Sequence, residues 1–61
     1  MLEYQKMILQ KVSFDQHLFE KELRKSTRDL LKEELIELKK WCYENFGQQF
    51  HHVLKKCFRN M

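Results

Sequence analysis

Four side chains of the kinds that ligate metal ions or act as nucleophiles lie in the last third of the chain: Cys42, His51, His52 and Cys57. Structural zinc sites take sulfur and nitrogen ligands in closely spaced pairs. The two histidines here are adjacent, and adjacent side chains on a helix point about 100° apart. The spacing therefore predicts no metal site and no Cys–His catalytic pair. It favours cysteines that act as small buried apolar residues.

Basic side chains repeat at helical spacing earlier in the chain, at Lys21, Arg24, Lys25 and Arg28. Positions i, i+3, i+4 and i+7 share one face of a helix. Such a face can lie along the phosphates of a nucleic acid. The competing interpretation is a solvated face, partly neutralised by Glu20 and Asp29 at i,i+4 spacing. Nucleic-acid binding is therefore the alternative function that the sequence offers.

Three carboxylates crowd one short stretch, at Glu33, Glu34 and Glu37. General acid–base catalysis needs such groups in a cleft, whereas this segment is rich in Lys and is predicted to be exposed. A chain of 61 residues also has little volume for a substrate pocket. We therefore expect a non-enzymatic protein with no catalytic residue, no cofactor and no small-molecule substrate.

The composition excludes several classes of protein. Of the 61 residues 43% are apolar, with five Phe, one Gly and no Pro. Disordered chains have fewer aromatic residues and more Pro and Gly, and a multi-strand β domain needs more turn residues. Two Cys are too few for a disulfide scaffold. A small helix-rich domain remains.

The apolar residues are bulky for so short a chain, because Leu and Phe dominate and Ala is absent. A domain of this size buries only about 60% of the surface that its unfolded chain exposes. Small domains therefore need a further support, such as a disulfide, a metal, a cofactor or a partner subunit. We expect a partner chain, with a homodimer as the simplest form and another protein as the alternative.

Three breaks divide the chain into helices. Ser13 followed by Gln16 fits a capping box, and Gly47 has the residue type of a left-handed C-cap. Between Ser26 and Lys32 the apolar stripe changes phase, which indicates a bend or turn. Four helices are predicted, over residues 2–12, 14–28, 31–46 and 48–59, and the competing prediction is one long curved helix over 14–46.

Aromatic residues concentrate in the two last predicted helices, and four of them are the candidate protein interface: Trp41, Tyr43, Phe50 and Phe58. Trp41 and Tyr43 widen the apolar arc of helix three beyond what one neighbouring helix covers. Aromatic side chains with a polar atom are favoured at interfaces. We therefore expect a second chain to dock on helices three and four. A further apolar stripe at Tyr4, Met7 and Ile8 packs either within the chain or across a dimer.

No run of apolar residues is long enough to predict a membrane span, and residues 1–10 lack the apolar core of a signal peptide. Two Cys without an export signal predict a cytoplasmic protein. The formal charge of +3 is only mildly basic. Together these features predict an all-α bundle of three to four short antiparallel helices that self-associates as a small regulatory or adaptor protein. A membrane-surface role for the amphipathic helix four is a third alternative.

Overall fold

The computed structural model describes residues 2–59, and within this range the chain forms four α-helices and no strand. Their bounds are α1 Leu2–Lys11, α2 Gln16–Asp29, α3 Lys32–Phe46 and α4 His51–Cys57. The predicted all-α fold class is confirmed. The fourth helix begins three residues later than predicted and ends two residues earlier. The ends of the predicted 1–61 domain, residues 1, 60 and 61, lie outside the described range.

The four helices surround one core in the order α1, α2, α4, α3. Helix α2 packs on α1 and α4, and α3 packs on α4 and α1. The turn between α3 and α4 contacts the turn between α1 and α2 through a hydrogen bond of 3.1 Å, which Gln49 Nε2 donates to the Ser13 carbonyl. Because α1 packs on α3 and α2 packs on α4, the pair α1 and α3 forms one side of the bundle and the pair α2 and α4 forms the opposite side.

Asp15, and not Ser13, caps the N-terminus of α2. Its Oδ1 accepts hydrogen bonds from the backbone N–H groups of His17 (2.9 Å) and Leu18 (3.3 Å). The Ser13 hydroxyl instead donates to the Gln10 carbonyl at 2.8 Å, at the end of α1. The predicted Ser13 capping box is therefore wrong. A carboxylate is the stronger acceptor for the exposed N–H groups of a helix start.

Residues 14–46 form two helices, because α2 ends at Asp29 and α3 begins at Lys32. Leu30 and Leu31 are extended, with ψ of 153° and 159°. The Glu34 side chain accepts a hydrogen bond of 3.0 Å from the Leu31 N–H, which satisfies one unpaired donor of the α3 start. The break lies within the Ser26–Lys32 stretch where the apolar stripe changes phase. Leu30 is buried there and Leu31 is exposed.

Gly47 ends α3, but in a right-handed conformation with φ −58° and ψ −38°. The predicted left-handed cap is therefore wrong. The Gly47 N–H donates to the Tyr43 carbonyl at 3.1 Å, and a Cβ atom on residue 47 would collide with that same carbonyl oxygen. The position needs Gly because the backbone of the preceding turn approaches closely, and not because φ is positive.

Gly47→Ala and Gly47→Asn are each expected to lower the free energy of unfolding by about 1–2 kcal/mol, since either Cβ meets backbone. A left-handed cap would tolerate Asn much better than Ala. Urea unfolding followed by circular dichroism measures both variants. Gln48→Ala, at the exposed neighbouring position, is the control and should change stability little. An Asn variant clearly more stable than the Ala variant would contradict the close-approach explanation.

Ten apolar side chains form the buried core, at Leu9, Phe19, Leu23, Leu30, Leu38, Cys42, Phe50, Val53, Leu54 and Phe58. Seven further apolar residues pack against it while partly exposed. Phe19 lies at the centre, stacked on Phe50 with a centroid distance of 4.3 Å and edge-on to Phe46 at 5.1 Å. A single chain therefore buries, fully or partly, most of the bulky apolar side chains that led us to expect a partner chain.

Candidate binding surfaces

Three of the four predicted basic residues line one groove on α2. Lys21, Arg24 and Arg28 surround it together with Thr27. Lys25 instead lies beside Tyr4 and Ile8 in a different groove, between α2 and α1. The structure therefore divides the predicted set. Lys25 lies toward α1, whereas Lys21, Arg24 and Arg28 lie together on the other groove.

Helix α4 and the residues after it add three cations that the sequence analysis did not assign to a site. Lys55, Lys56 and Arg59 line a groove with Gln16, Glu20 and His52. Glu20 joins this groove to the first one, because its carboxylate lies 2.9 Å from Arg24 Nη2 and 3.1 Å from Lys56 Nζ. We call this region the α2–α4 basic surface, defined by Lys21, Arg24, Arg28, Lys55, Lys56 and Arg59.

Glu20 is ionised within this surface. The hydrogen bond from Lys56 lowers the pKa of Glu20, against the opposing effect of partial burial, and the charges of Lys56 and Arg24 lower it further. The carboxylate therefore stays negative at neutral pH and cancels part of the positive charge around it. Helical spacing predicted the Glu20–Arg24 pair, but only the packing of α4 on α2 brings in Lys56.

The net positive charge of the chain lies on one side of the bundle. Helices α1 and α3 carry five basic and five acidic side chains, so their side is balanced. Helix α2 together with residues 51–59 carries seven basic and three acidic side chains. This division could not be predicted from local patterns in the sequence, because it depends on which helices are neighbours.

The opposite side of the bundle has a groove between α1 and α3. Glu3, Lys6, Met7, Gln10 and Trp41 line it, and we call it the α1–α3 groove. Lys6 Nζ lies 5.8 Å from the centroid of the Trp41 ring, and 3.4 and 3.5 Å from carboxylate oxygens of Glu3 and Glu37. Met7 is 49% exposed, so the groove combines accessible apolar surface with charges of both signs.

The four predicted interface aromatics divide into two pairs. Phe50 and Phe58 are buried in the core, at 5% and 3% exposure, and offer no surface to a partner in this structure. Their side chains face inward because α4 turns its single apolar stripe toward α2 and α3. Trp41 and Tyr43 are half-buried against the core, and Trp41 lines a groove at the surface.

The Cys and His residues lie close in sequence but form no ligand set. Within residues 2–59 no three His, Cys, Asp or Glu side chains are placed to hold a metal ion. Both cysteines are free thiols, and His51 and His52 are exposed. Burial raises the pKa of Cys42 to about 12 and also raises the pKa of Cys57. These thiols are therefore protonated at neutral pH and are poor nucleophiles.

Alkaline pH is expected to destabilise the fold through Cys42. The thiol of the unfolded chain ionises near pH 9, whereas the folded thiol stays protonated until about pH 12. The contribution of this thiol to the free energy of unfolding is fully present below pH 9. It falls by about 1.4 kcal/mol per pH unit between pH 9 and about pH 12. Urea unfolding at a series of alkaline pH values measures the slope. Cys42→Ala is the comparison, and an equally steep slope in that variant would contradict the assignment.

None of the helices in the described range is long and apolar enough to cross a bilayer. The apolar face of α4 is packed in the core, with Val53 at 3% and Leu54 at 0% exposure, so it is not free to lie in a membrane surface. No protein-family model matches the chain, and no curated protein or solved structure matches it either.

Proposed function

We propose that this chain is a non-enzymatic helical interaction module that forms a homodimer through the α1–α3 groove. The observation that carries the proposal is the accessible apolar surface of Met7 beside the half-buried Trp41 ring. Tyr4, 59% exposed, lies one helical turn from Met7 and continues the accessible apolar surface of α1 toward the groove between α1 and α2. Amphipathic aromatic residues beside an exposed apolar side chain are typical of protein interfaces.

The charges around the groove favour a second copy as the partner. A protein with net positive charge repels its own copies unless the contacting sides are balanced, and α1 and α3 together carry no net charge. Lys6 lies between two carboxylates, Glu3 and Glu37. In a two-fold interface the same patch meets itself, so a patch with both signs can pair with its own copy.

The raised pKa values of the two thiols support a non-enzymatic role, because they keep the best nucleophiles of the chain protonated. Cys42 is also fully buried, at 0% exposure. What remains accessible is a set of surfaces suited to contact with other molecules.

Sedimentation equilibrium across the micromolar range tests the proposal. The chain is expected to sediment at twice 7.7 kDa at the upper end of this range. Met7→Glu places a charge at the centre of the contact and should weaken the dimer at least about tenfold. The single Trp lies in the groove, so its fluorescence should change on dilution in step with the mass.

Phe14→Glu is the matched control for Met7→Glu. Phe14 is the most exposed large apolar residue within residues 2–59, at 80%, and lies in the turn between α1 and α2. The same charge introduced there should leave the dimer unchanged. A wild-type mass of 7.7 kDa at all concentrations, or equal dissociation by both variants, would overturn the proposal.

A further inference from the structure

We infer that the α2–α4 basic surface binds the phosphodiester backbone of a nucleic-acid duplex and that Glu20 limits the affinity from within this surface. The inference goes beyond self-association and does not depend on it, because the basic surface and the α1–α3 groove lie on opposite sides of the bundle. A monomer and a dimer would both present it.

The number and placement of cations suit a phosphate backbone. Five basic side chains lie on the adjacent helices α2 and α4, Arg59 lies in the turn after α4, and all six are exposed. Lys21 and Arg28 are seven residues apart on α2, which corresponds to about 10 Å along the helix axis. A duplex carries one negative charge per about 1.7 Å of axis, so several cations on one rigid surface can contact phosphates at once.

The side chains around the basic surface fit a nucleic-acid duplex better than they fit other anionic partners. The grooves of the basic surface contain polar groups such as Thr27, Gln16 and His52, and their only apolar member, Val53, is buried. A protein partner usually needs an apolar or aromatic anchor, a membrane needs side chains that insert, and single strands need aromatic residues that stack on bases. Phosphates need only cations and hydrogen-bond donors.

Glu20 has a defined effect in this arrangement. Its carboxylate accepts from Arg24 at 2.9 Å and from Lys56 at 3.1 Å, so it occupies donors that would otherwise face a phosphate. A phosphate must displace these pairs and also meets the repulsion of the carboxylate. Removing this charge should therefore strengthen binding while leaving the number of basic residues unchanged.

Fluorescence anisotropy with a short DNA duplex and an RNA duplex of the same sequence tests the inference. Six contacts predict a slope of about −5 in log K against log salt between about 50 and 200 mM. The triple variant Lys21→Ala, Arg24→Ala, Arg28→Ala should reduce the slope by nearly half. Its affinity at about 100 mM salt should fall at least about tenfold. The two duplexes distinguish DNA from RNA as the preferred source of the backbone.

The matched control removes three exposed cations from other parts of the surface, as Lys25→Ala, Lys32→Ala, Lys40→Ala. Both triple variants lose the formal net charge of +3, and the control should weaken binding less than about threefold. Equal losses in the two would overturn the inference, because net charge alone would then explain binding. A slope near zero would overturn it as well.

Glu20→Gln supplies a gain of affinity, which unfolding cannot mimic. We expect binding about two- to fivefold tighter at low salt, whereas Glu33→Gln on α3 changes the net charge equally and should have a smaller effect. No gain with Glu20→Gln would overturn the limiting role of this carboxylate. Polyglutamate and phosphatidylserine vesicles serve as competitors, and stronger competition by either than by unlabelled duplex would overturn the assignment of a nucleic-acid duplex as the partner.

Discussion

Phe19→Ala is expected to unfold much of the population at physiological temperature. Phe19 is fully buried, stacked on Phe50 and edge-on to Phe46. Truncating a buried Phe costs about 3–5 kcal/mol, and aromatic pairs add about 0.5–1.5 kcal/mol. A chain of this length has a free energy of unfolding of roughly 3–9 kcal/mol. The loss is therefore comparable to the whole stability of the domain.

Urea unfolding followed by circular dichroism measures the effect, with thermal unfolding where the variant is too unstable to give a native baseline. Phe14→Ala is the matched control, since the same substitution at an 80% exposed position should change stability by about 0.5 kcal/mol or less. A loss below about 1 kcal/mol for Phe19→Ala would show that Phe19 is not at the centre of the core.

Ser26→Ala is expected to destabilise the fold more than its small change in volume suggests. Gln5 of α1 is 7% exposed, and its side-chain amide donates a hydrogen bond to the fully buried Ser26 hydroxyl of α2. That hydroxyl in turn donates to the Glu22 carbonyl at 3.0 Å. Removing it leaves the Gln5 amide buried without this partner, which costs about 1–3 kcal/mol.

The double variant Gln5→Leu, Ser26→Ala should recover most of this loss. Replacing both partners of a buried hydrogen bond by apolar groups is close to neutral, because no polar group is left unpaired. A double-mutant cycle measured by urea unfolding gives the coupling between the two positions. Strictly additive losses from the two single variants would show that the contact between α1 and α2 contributes nothing specific.

Local patterns in the sequence predicted the helices well, because each break has a local cause. The apolar stripe changes phase after Leu30, and the chain turns there. At the first break, Ser13 and Asp15 are both good caps in the same short turn, and spacing alone chose the wrong one. At Gly47 the residue type indicated a turn, but the conformation depends on how closely Tyr43 approaches.

The candidate sites were harder to predict, because they depend on which helices are neighbours. Periodicity placed Phe50 and Phe58 on one stripe of α4 without showing that the stripe faces the core. The pairing of α2 with α4 carries Lys56 to Glu20 across 36 residues of sequence. No local pattern predicts that pairing. The sequence therefore predicted most of the fold but only part of each binding surface. It indicated Lys21, Arg24 and Arg28 on α2 and Trp41 on α3, but not the residues that the neighbouring helices bring beside them.

The unequal sharing of charge between the two sides makes them electrically independent of each other. The chain measures 26 × 22 × 18 Å, whereas the Debye length at physiological ionic strength is about 8 Å. A molecule at the α1–α3 groove is therefore screened from the cations behind it, and a polyanion approaching the far side meets them almost undiminished. In solution this small chain behaves as a particle with one neutral pole and one positive pole, and the overall charge of +3 describes neither.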